Sequence, residues 1–185
     1  MKILIIVDMQ KDFIDGSLGT SEAVAIVPKV VQRVVNSEGE LILFTQDTHG
    51  EDYLQTPEGK KLPVMHCIDG TEGHNIDERI LDAWRRNKNT VLAADLLGNI
   101  FKKSVFGCFA LLEFLENLRK EGAAITEIEL LGLCTDICVV SNAIMLKNYF
   151  PDIEINVNAD CCAGVTPQSH NEALNVMKMC HINII

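Results

Sequence analysis

Cys138 carries the chemistry around which this sequence can be arranged. It lies in Gly132-Leu133-Cys134-Thr135-Asp136-Ile137-Cys138-Val139, directly after Ile128 to Leu131, an apolar run that reads as a buried strand. Gly132 breaks that run. Thr135 or Asp136 can then cap a helix whose apolar face continues through Val139, Ala143 and Leu146. The thiol therefore falls in the first turn of a helix, where free backbone N–H groups and the positive end of the dipole favour a thiolate. The same position also suits a small buried apolar residue, the usual role of a free cysteine. Position alone leaves both readings open.

Two further residues decide between them. Asp8 ends the apolar run Lys2 to Val7, and Lys103 ends Asn99 to Lys103. A thiol near its free pKa is mostly protonated at pH 7, so it needs a base or a positive neighbour. Asp8 can take the thiol proton, and Lys103 can stabilise the charges on both. The backbone N–H groups of Cys134 and Cys138 can hold a developing oxyanion. Such a site attacks an acyl carbon, releases an amine from the resulting tetrahedral adduct and hydrolyses the thioester. Singly, Asp8 also fits a turn cap, and Lys103 a side chain that snorkels from a strand end. Taken together, with no histidine near the nucleophile motif, they read as a Cys–Asp–Lys triad.

A second cluster starts at Asp47-x-His49, which puts a carboxylate and an imidazole on one side of an extended chain. His66 follows in a long loop, with Glu58 between them. One Asp, one Glu and two His form a donor set for Zn²⁺, Fe²⁺ or Mn²⁺ with open water positions. Glu51 is an alternative to Glu58. The same residues could also be a solvated loop, and a bare D-x-H is a weak signal. His74, His170 and His181 are read as structural or surface residues.

The elements that position these groups follow from the pattern. Lys2–Val7, Leu41–Thr45, Asn99–Lys103, Glu127–Leu131, Ile153–Val157 and His181–Ile185 read as strands. Met9 to Gly19 reads as loop, and Pro28 suits the first turn of a helix with Val27, Val31, Val34 and Val35 on its apolar face. Ile76 to Trp84, Phe109 to Lys120 and Cys138 to Lys147 read as helices, as does Pro167 to about Met179 behind a Thr166 cap. Thr90 to Leu97 fits helix or strand equally. Gly50 to Gly73 is too aperiodic for either and is expected to be a functional loop. Strands alternating with helices define an α/β fold with a doubly wound parallel sheet, in which ligands bind at the carboxyl ends of the strands. Asp8, Asp47-Thr48-His49, Lys103 and Cys138 all fall at such ends.

The bulk composition narrows the function. The 185 residues suit one domain, 1–185, and 16 basic against 26 acidic side chains give a formal net charge of −10. That argues against nucleic acid or an anionic membrane as partner. No run is long enough for a transmembrane helix, and the apolar start before Asp8 is too short for a signal peptide. Seven cysteines, an odd count, suit reduced thiols in the cytoplasm. The adjacent Cys161 and Cys162 are read as packing.

At this point the chain resembles the isochorismatase-like cysteine hydrolase superfamily. Val7-Asp8-Met9-Gln10-Lys11-Asp12-Phe13 is similar to its opening motif, and Lys103-Ser104-Val105-Phe106-Gly107-Cys108-Phe109 to the segment led by its lysine. The Gly132 to Val139 stretch is similar to its nucleophile motif, and Asp160 to Pro167 to its late loop. The resemblance implies a three-layer α/β/α sandwich around a mostly parallel six-stranded sheet. It also implies a cis Leu133–Cys134 peptide and a pocket lined by Phe13 and Leu133. Asp47, His49, Glu58 and His66 resemble the metal site, expected to hold Zn²⁺, of members that hydrolyse nicotinamide to nicotinate and ammonia. One departure bears on substrate: Leu62-Pro63-Val64-Met65 precede His66, where such members often carry a Trp. Sibling activities on maleamate, biuret or ureidoacrylate are the alternative, as is a non-catalytic partner domain. A dithiol role for Cys134 and Cys138 fits poorly, because their spacing is not C-x-x-C. The expected partner is a small-molecule amide, acted on by a homo-oligomer.

Overall fold

Six parallel strands form the middle of the molecule: β1 (Lys2–Val7), β2 (Leu41–Asp47), β3 (Ile100–Lys103), β4 (Glu127–Leu133), β5 (Glu154–Ala163) and β6 (Asn183–Ile184). They run in the order β3-β2-β1-β4-β5-β6. This computed structural model describes residues 1–87 and 96–185. The middle strands carry long apolar runs because both faces are covered; Leu4, Ile5, Ile6, Val7 and Leu41 to Phe44 have no solvent exposure.

The helices are α1 (Lys11–Ile14), α2 (Ser21–Val35), α3 (Pro57–Lys61), α4 (Glu78–Arg86), α5 (Phe109–Lys120), α6 (Val140–Tyr149) and α7 (Pro167–Met179). Right-handed crossovers put α2 and α4 on one face of the sheet and α5, α6 and α7 on the other. The contacts agree: α2 packs on α4, and α6 on α7. Arg119 of α5 lies 5.3 Å over the Phe150 ring beside α6. The result is the expected three-layer sandwich. Crossovers leave β1 toward β2 and β4 toward β5 over opposite faces, so the carboxyl ends of β1 and β4 flank a crevice.

Gly132 is needed there. Its φ is +121°, and a Cβ would come within 2.1 Å of the Val7 carbonyl oxygen. Val7 and Gly132 are paired in the β1–β4 register, so only a residue without a side chain lets the two strand ends meet.

Several boundaries differ from the sequence reading. Pro28 sits inside α2 rather than in its first turn, because the helix already starts behind Thr20, whose hydroxyl accepts from Ala23 N at 3.0 Å. Met9 to Gly19 contains the short α1. The helix expected from Cys138 begins instead with a wide turn, Thr135–Val139, closed by Val139 N donating to Cys134 O at 3.0 Å; α6 follows it. Thr90 to Asp95 lies outside the described residues, and Leu96–Asn99 forms a 3₁₀ turn. Strand β5 runs six residues past Val157, which buries Cys161 and Cys162 as packing. All seven cysteines are free, and among the described residues no helix is long and apolar enough to cross a membrane.

Candidate active site

Asp8 follows β1 in a left-handed conformation, φ +46°, unusual for a residue with a side chain and stored here at the sheet's crevice. Its backbone N–H donates to Thr45 O and Oγ1, and the Thr45 hydroxyl donates to Asp8 Oδ1 at 2.7 Å. Its Oδ2 contacts Lys103 Nζ at 2.7 Å, off the direction of a good hydrogen bond. Lys103 arrives at the end of β3, its side chain 2% exposed, and reaches Cys138 Sγ at 3.4 Å and Asp47 Oδ1 at 3.3 Å. An acid, an ammonium and a sulfur from three segments thus meet in one buried cluster.

The electrostatics assign protons within it. Burial drives the Asp8 carboxyl above the usual carboxylate range, against the pull of Lys103. The Lys103 ammonium is held well above its ordinary pKa: burial works against it, but Asp8, Cys138 and Asp47 together outweigh that. Burial and then the Asp8 charge push the Cys138 thiol up, with Lys103 opposing. Burial and the Asp8 charge thus oppose the thiolate that a helix N-terminus favours. Lys103 links the sulfur to a carboxylate whose raised pKa suits it to receive a proton. Cys134 lines the same cavity, but burial pushes its thiol up to about 12, and the close Lys103 contact goes to Cys138.

The backbones of Cys134 and Cys138 bracket the wide turn, and the Leu133–Cys134 peptide is cis, as expected. Thr135, within that turn, shares a 2.8 Å hydrogen bond with His170 Nδ1 of α7, so His170 is structural.

Asp47 ends β2, where Gln10 fixes it from both sides: Asp47 N donates to Gln10 Oε1 at 2.7 Å, and Gln10 Nε2 donates to Asp47 O at 2.8 Å. His49 Nε2 lies 2.9 Å from Asp47 Oδ2, and His66 Nε2 lies 3.6 Å from the same oxygen. Ligand atoms of Asp47, His49 and His66 all fall within 4.8 Å of one another. The His66 Nδ1–H donates to Val64 O at 2.8 Å, which turns Nε2 toward the cluster. His49 Nε2 is buried without a directed hydrogen bond despite its nearness to Asp47. Two imidazole nitrogens and a carboxylate oxygen that converge in this way fit a divalent cation. Burial raises the Asp47 pKa, but contact with His49 and the Lys103 charge outweigh it, so the carboxylate stays ionised as a ligand must.

Glu58 is not in that cluster. Carried on the short α3, it lines the same cavity, and its charge reaches His49, but its carboxylate lies outside the group of converging ligand atoms. Glu51 is exposed. His74 is buried and bonded to Thr48 Oγ1 at 2.9 Å, a structural role, and His181 is exposed on the turn before β6.

Both clusters open into one cavity of about 580 Å³ whose walls are mostly apolar. Phe13 and Leu133 line it as expected, Phe13 with its ring 5.5 Å from that of His66. Leu62, from the stretch before His66, also lines it, and a second aromatic wall comes from Phe106 in the loop after β3. Sequence reasoning did not identify Phe106 as a wall. It also missed Thr45, Gln10 and Tyr53, whose buried ring lies 4.7 Å from that of His49 and 4.9 Å from that of His66. Thr45 and Gln10 are each one or two residues from a singled-out carboxylate, the only signal that pointed to them.

An open parallel α/β sandwich with sulfur, acid and ammonium gathered at its switch point defines a class of cysteine-dependent α/β proteins. The family model for the Isochorismatase domain matches residues 2–185, and the chain belongs to that family. Among solved structures it is similar to the nicotinamidase/pyrazinamidase PncA of Bacillus subtilis, with 27% identity, TM-score 0.79 and 99% and 98% of the two chains covered. The pyrazinamidase/nicotinamidase of Streptococcus mutans is 28% identical with TM-score 0.79, covering 100% of each chain. A pyrazinamidase of Pyrococcus horikoshii, in complex with zinc, is 26% identical with TM-score 0.76, covering 100% of this chain and 98% of its own.

Proposed function

We propose that this chain, as one domain over residues 1–185, is an amidase that hydrolyses nicotinamide to nicotinate and ammonia through a thioester on Cys138. The observation that carries the proposal is the contact of Lys103 with both Asp8 and Cys138 at the floor of a largely apolar cavity. Asp8 takes the thiol proton as the sulfur attacks the amide carbon, and the C=O π electrons move onto oxygen. The amides of Cys134 and Cys138 receive that oxyanion. Asp8 returns its proton to the leaving nitrogen, which departs as ammonia when the carbonyl reforms. Asp8 then takes a proton from water, whose oxygen attacks the thioester; the sulfur leaves and is reprotonated. Lys103 remains an ammonium throughout and balances charge on Asp8 and sulfur.

Asp47, His49 and His66 would hold the divalent metal, proposed as Zn²⁺, with Glu58 as an outer residue. When bound, such an ion supplies Lewis acidity and orients the substrate ring. Phe13 and Phe106 supply faces for an aromatic ring, and the apolar walls suit a pyridine amide better than a polar ureide. A net charge of −10 and free thiols support a cytoplasmic setting with neither nucleic acid nor membrane as partner; the functional unit is proposed as a homo-oligomer. Ammonia release from nicotinamide, pyrazinamide, maleamate and biuret tests the reading. Turnover of the two ring amides is expected, and release from none of the four would overturn it.

A further inference from the structure

Asn142 has no solvent exposure and stands one helical turn after Cys138 on α6. Its Nδ2 donates to the Cys138 carbonyl at 2.8 Å and to the Phe106 carbonyl at 3.1 Å. Its Oδ1 accepts from Cys108 N at 2.8 Å. One carboxamide therefore joins the turn that carries the sulfur to the segment that follows Lys103 and carries Phe106. Nothing in the steps written above uses it.

We infer that Asn142 is a positioning residue, which sets the Lys103–Cys138 approach and the placement of the Phe106 wall by clamping the two segments together. The wide turn at Thr135–Val139 changes the helical register at Cys138, and the Asn142 side chain donates to the Cys138 carbonyl there. Alanine would leave two carbonyls and one amide without that partner, and the loop after β3 would lose its tie to α6. The inference rests on the amidase reading, and turnover by the wild-type chain tests that reading separately.

The test compares Asn142→Ala, Asn142→Thr and Leu146→Ala. Leu146 is equally buried one turn further along the same helix and touches neither loop nor cluster in the proposed way. Sites are counted by iodoacetamide labelling of Cys138, so kcat is expressed per folded site, and Tm is measured alongside. Asn142→Ala is expected to lose between about tenfold and a hundredfold in kcat. Leu146→Ala should lose Tm without that loss. Asn142→Thr, whose hydroxyl can donate to the Cys138 carbonyl one turn back, is expected to recover part of it. A kcat for Asn142→Ala within about twofold of wild type, or an equal loss in Leu146→Ala, would overturn the inference. Should Asn142→Ala fail to accumulate, a kcat for Asn142→Thr no lower than that of Leu146→Ala would overturn it instead.

Discussion

Replacing Asp8 by Asn should move two properties of Cys138 in opposite directions. The amide keeps the shape of the carboxylate and can still meet Thr45, but it cannot take a proton. Loss of a positioned general base costs about 10²- to 10⁴-fold in rate, or roughly 3–5 kcal/mol of transition-state stabilisation. Stability should fall too, because the substitution breaks a fully buried ion pair, an event that costs about 3–5 kcal/mol. The low end applies, since Lys103 retains Asp47 at 3.3 Å. Reactivity toward a small alkylating agent should nevertheless rise. The Asp8 charge is one of the causes that push the Cys138 thiol up, whereas Lys103 pulls it down; removing only Asp8 leaves the downward pull unopposed on that side. The pH midpoint for iodoacetamide alkylation of Cys138 should therefore shift to lower pH, followed by mass spectrometry of the labelled peptide, while ammonia release collapses. A midpoint that moves up, or alkylation that falls in step with turnover, would refute the proton assignment.

Gly132→Ala should cost at least about 3 kcal/mol in a denaturant melt, from a clash with the Val7 carbonyl at a backbone angle alanine resists. His49→Ala and His66→Ala should each lower bound metal, measured by elemental analysis of protein prepared without chelator, whereas Glu58→Gln should leave the stoichiometry unchanged. Phe106→Ala should raise KM for nicotinamide by roughly two- to tenfold with kcat nearly unchanged, the worth of one aromatic face. At the start of α4, Asp77 accepts from Arg79 N at 2.9 Å. Although burial raises its pKa, the contacts with Arg79 outweigh that and hold it below the ordinary carboxylate value, so its stabilisation is present above that value and lost as pH falls through the folded pKa. The Tm advantage of wild type over Asp77→Asn should accordingly shrink on acidification below the ordinary carboxylate range.

Short local patterns made the centre of the site legible. Apolar runs located the six strands, and a parallel sheet sends the ends of β1, β2 and β3 to one edge whatever their spacing, so Asp8, Asp47 and Lys103 could be brought together on paper. Cys138 followed from the Gly132 break. What escaped was set by tertiary geometry. Glu58 shares a loop with His66, but on α3 its carboxylate does not join the group of converging Asp47, His49 and His66 atoms. Phe106 looked like part of a motif, and only the path of the loop after β3 makes it a wall. For Cys138 the helix N-terminus was one influence among several, and the opposing weight of burial could not be read from the sequence. Pro28 misled in the same manner, as a local preference overridden by the Thr20 cap upstream.

The sheet order has a consequence for how the enzyme comes into being. Translation delivers the acid first, the ammonium nearly a hundred residues later and the sulfur last, and the strand that brings the sulfur must slide in beside β1, the first to be made. Until that late insertion, an emerging chain exposes the long apolar edge of β1 and has no nucleophile to offer. Nascent or prematurely terminated products that stop short of β4 are therefore catalytically silent and sticky rather than partly active.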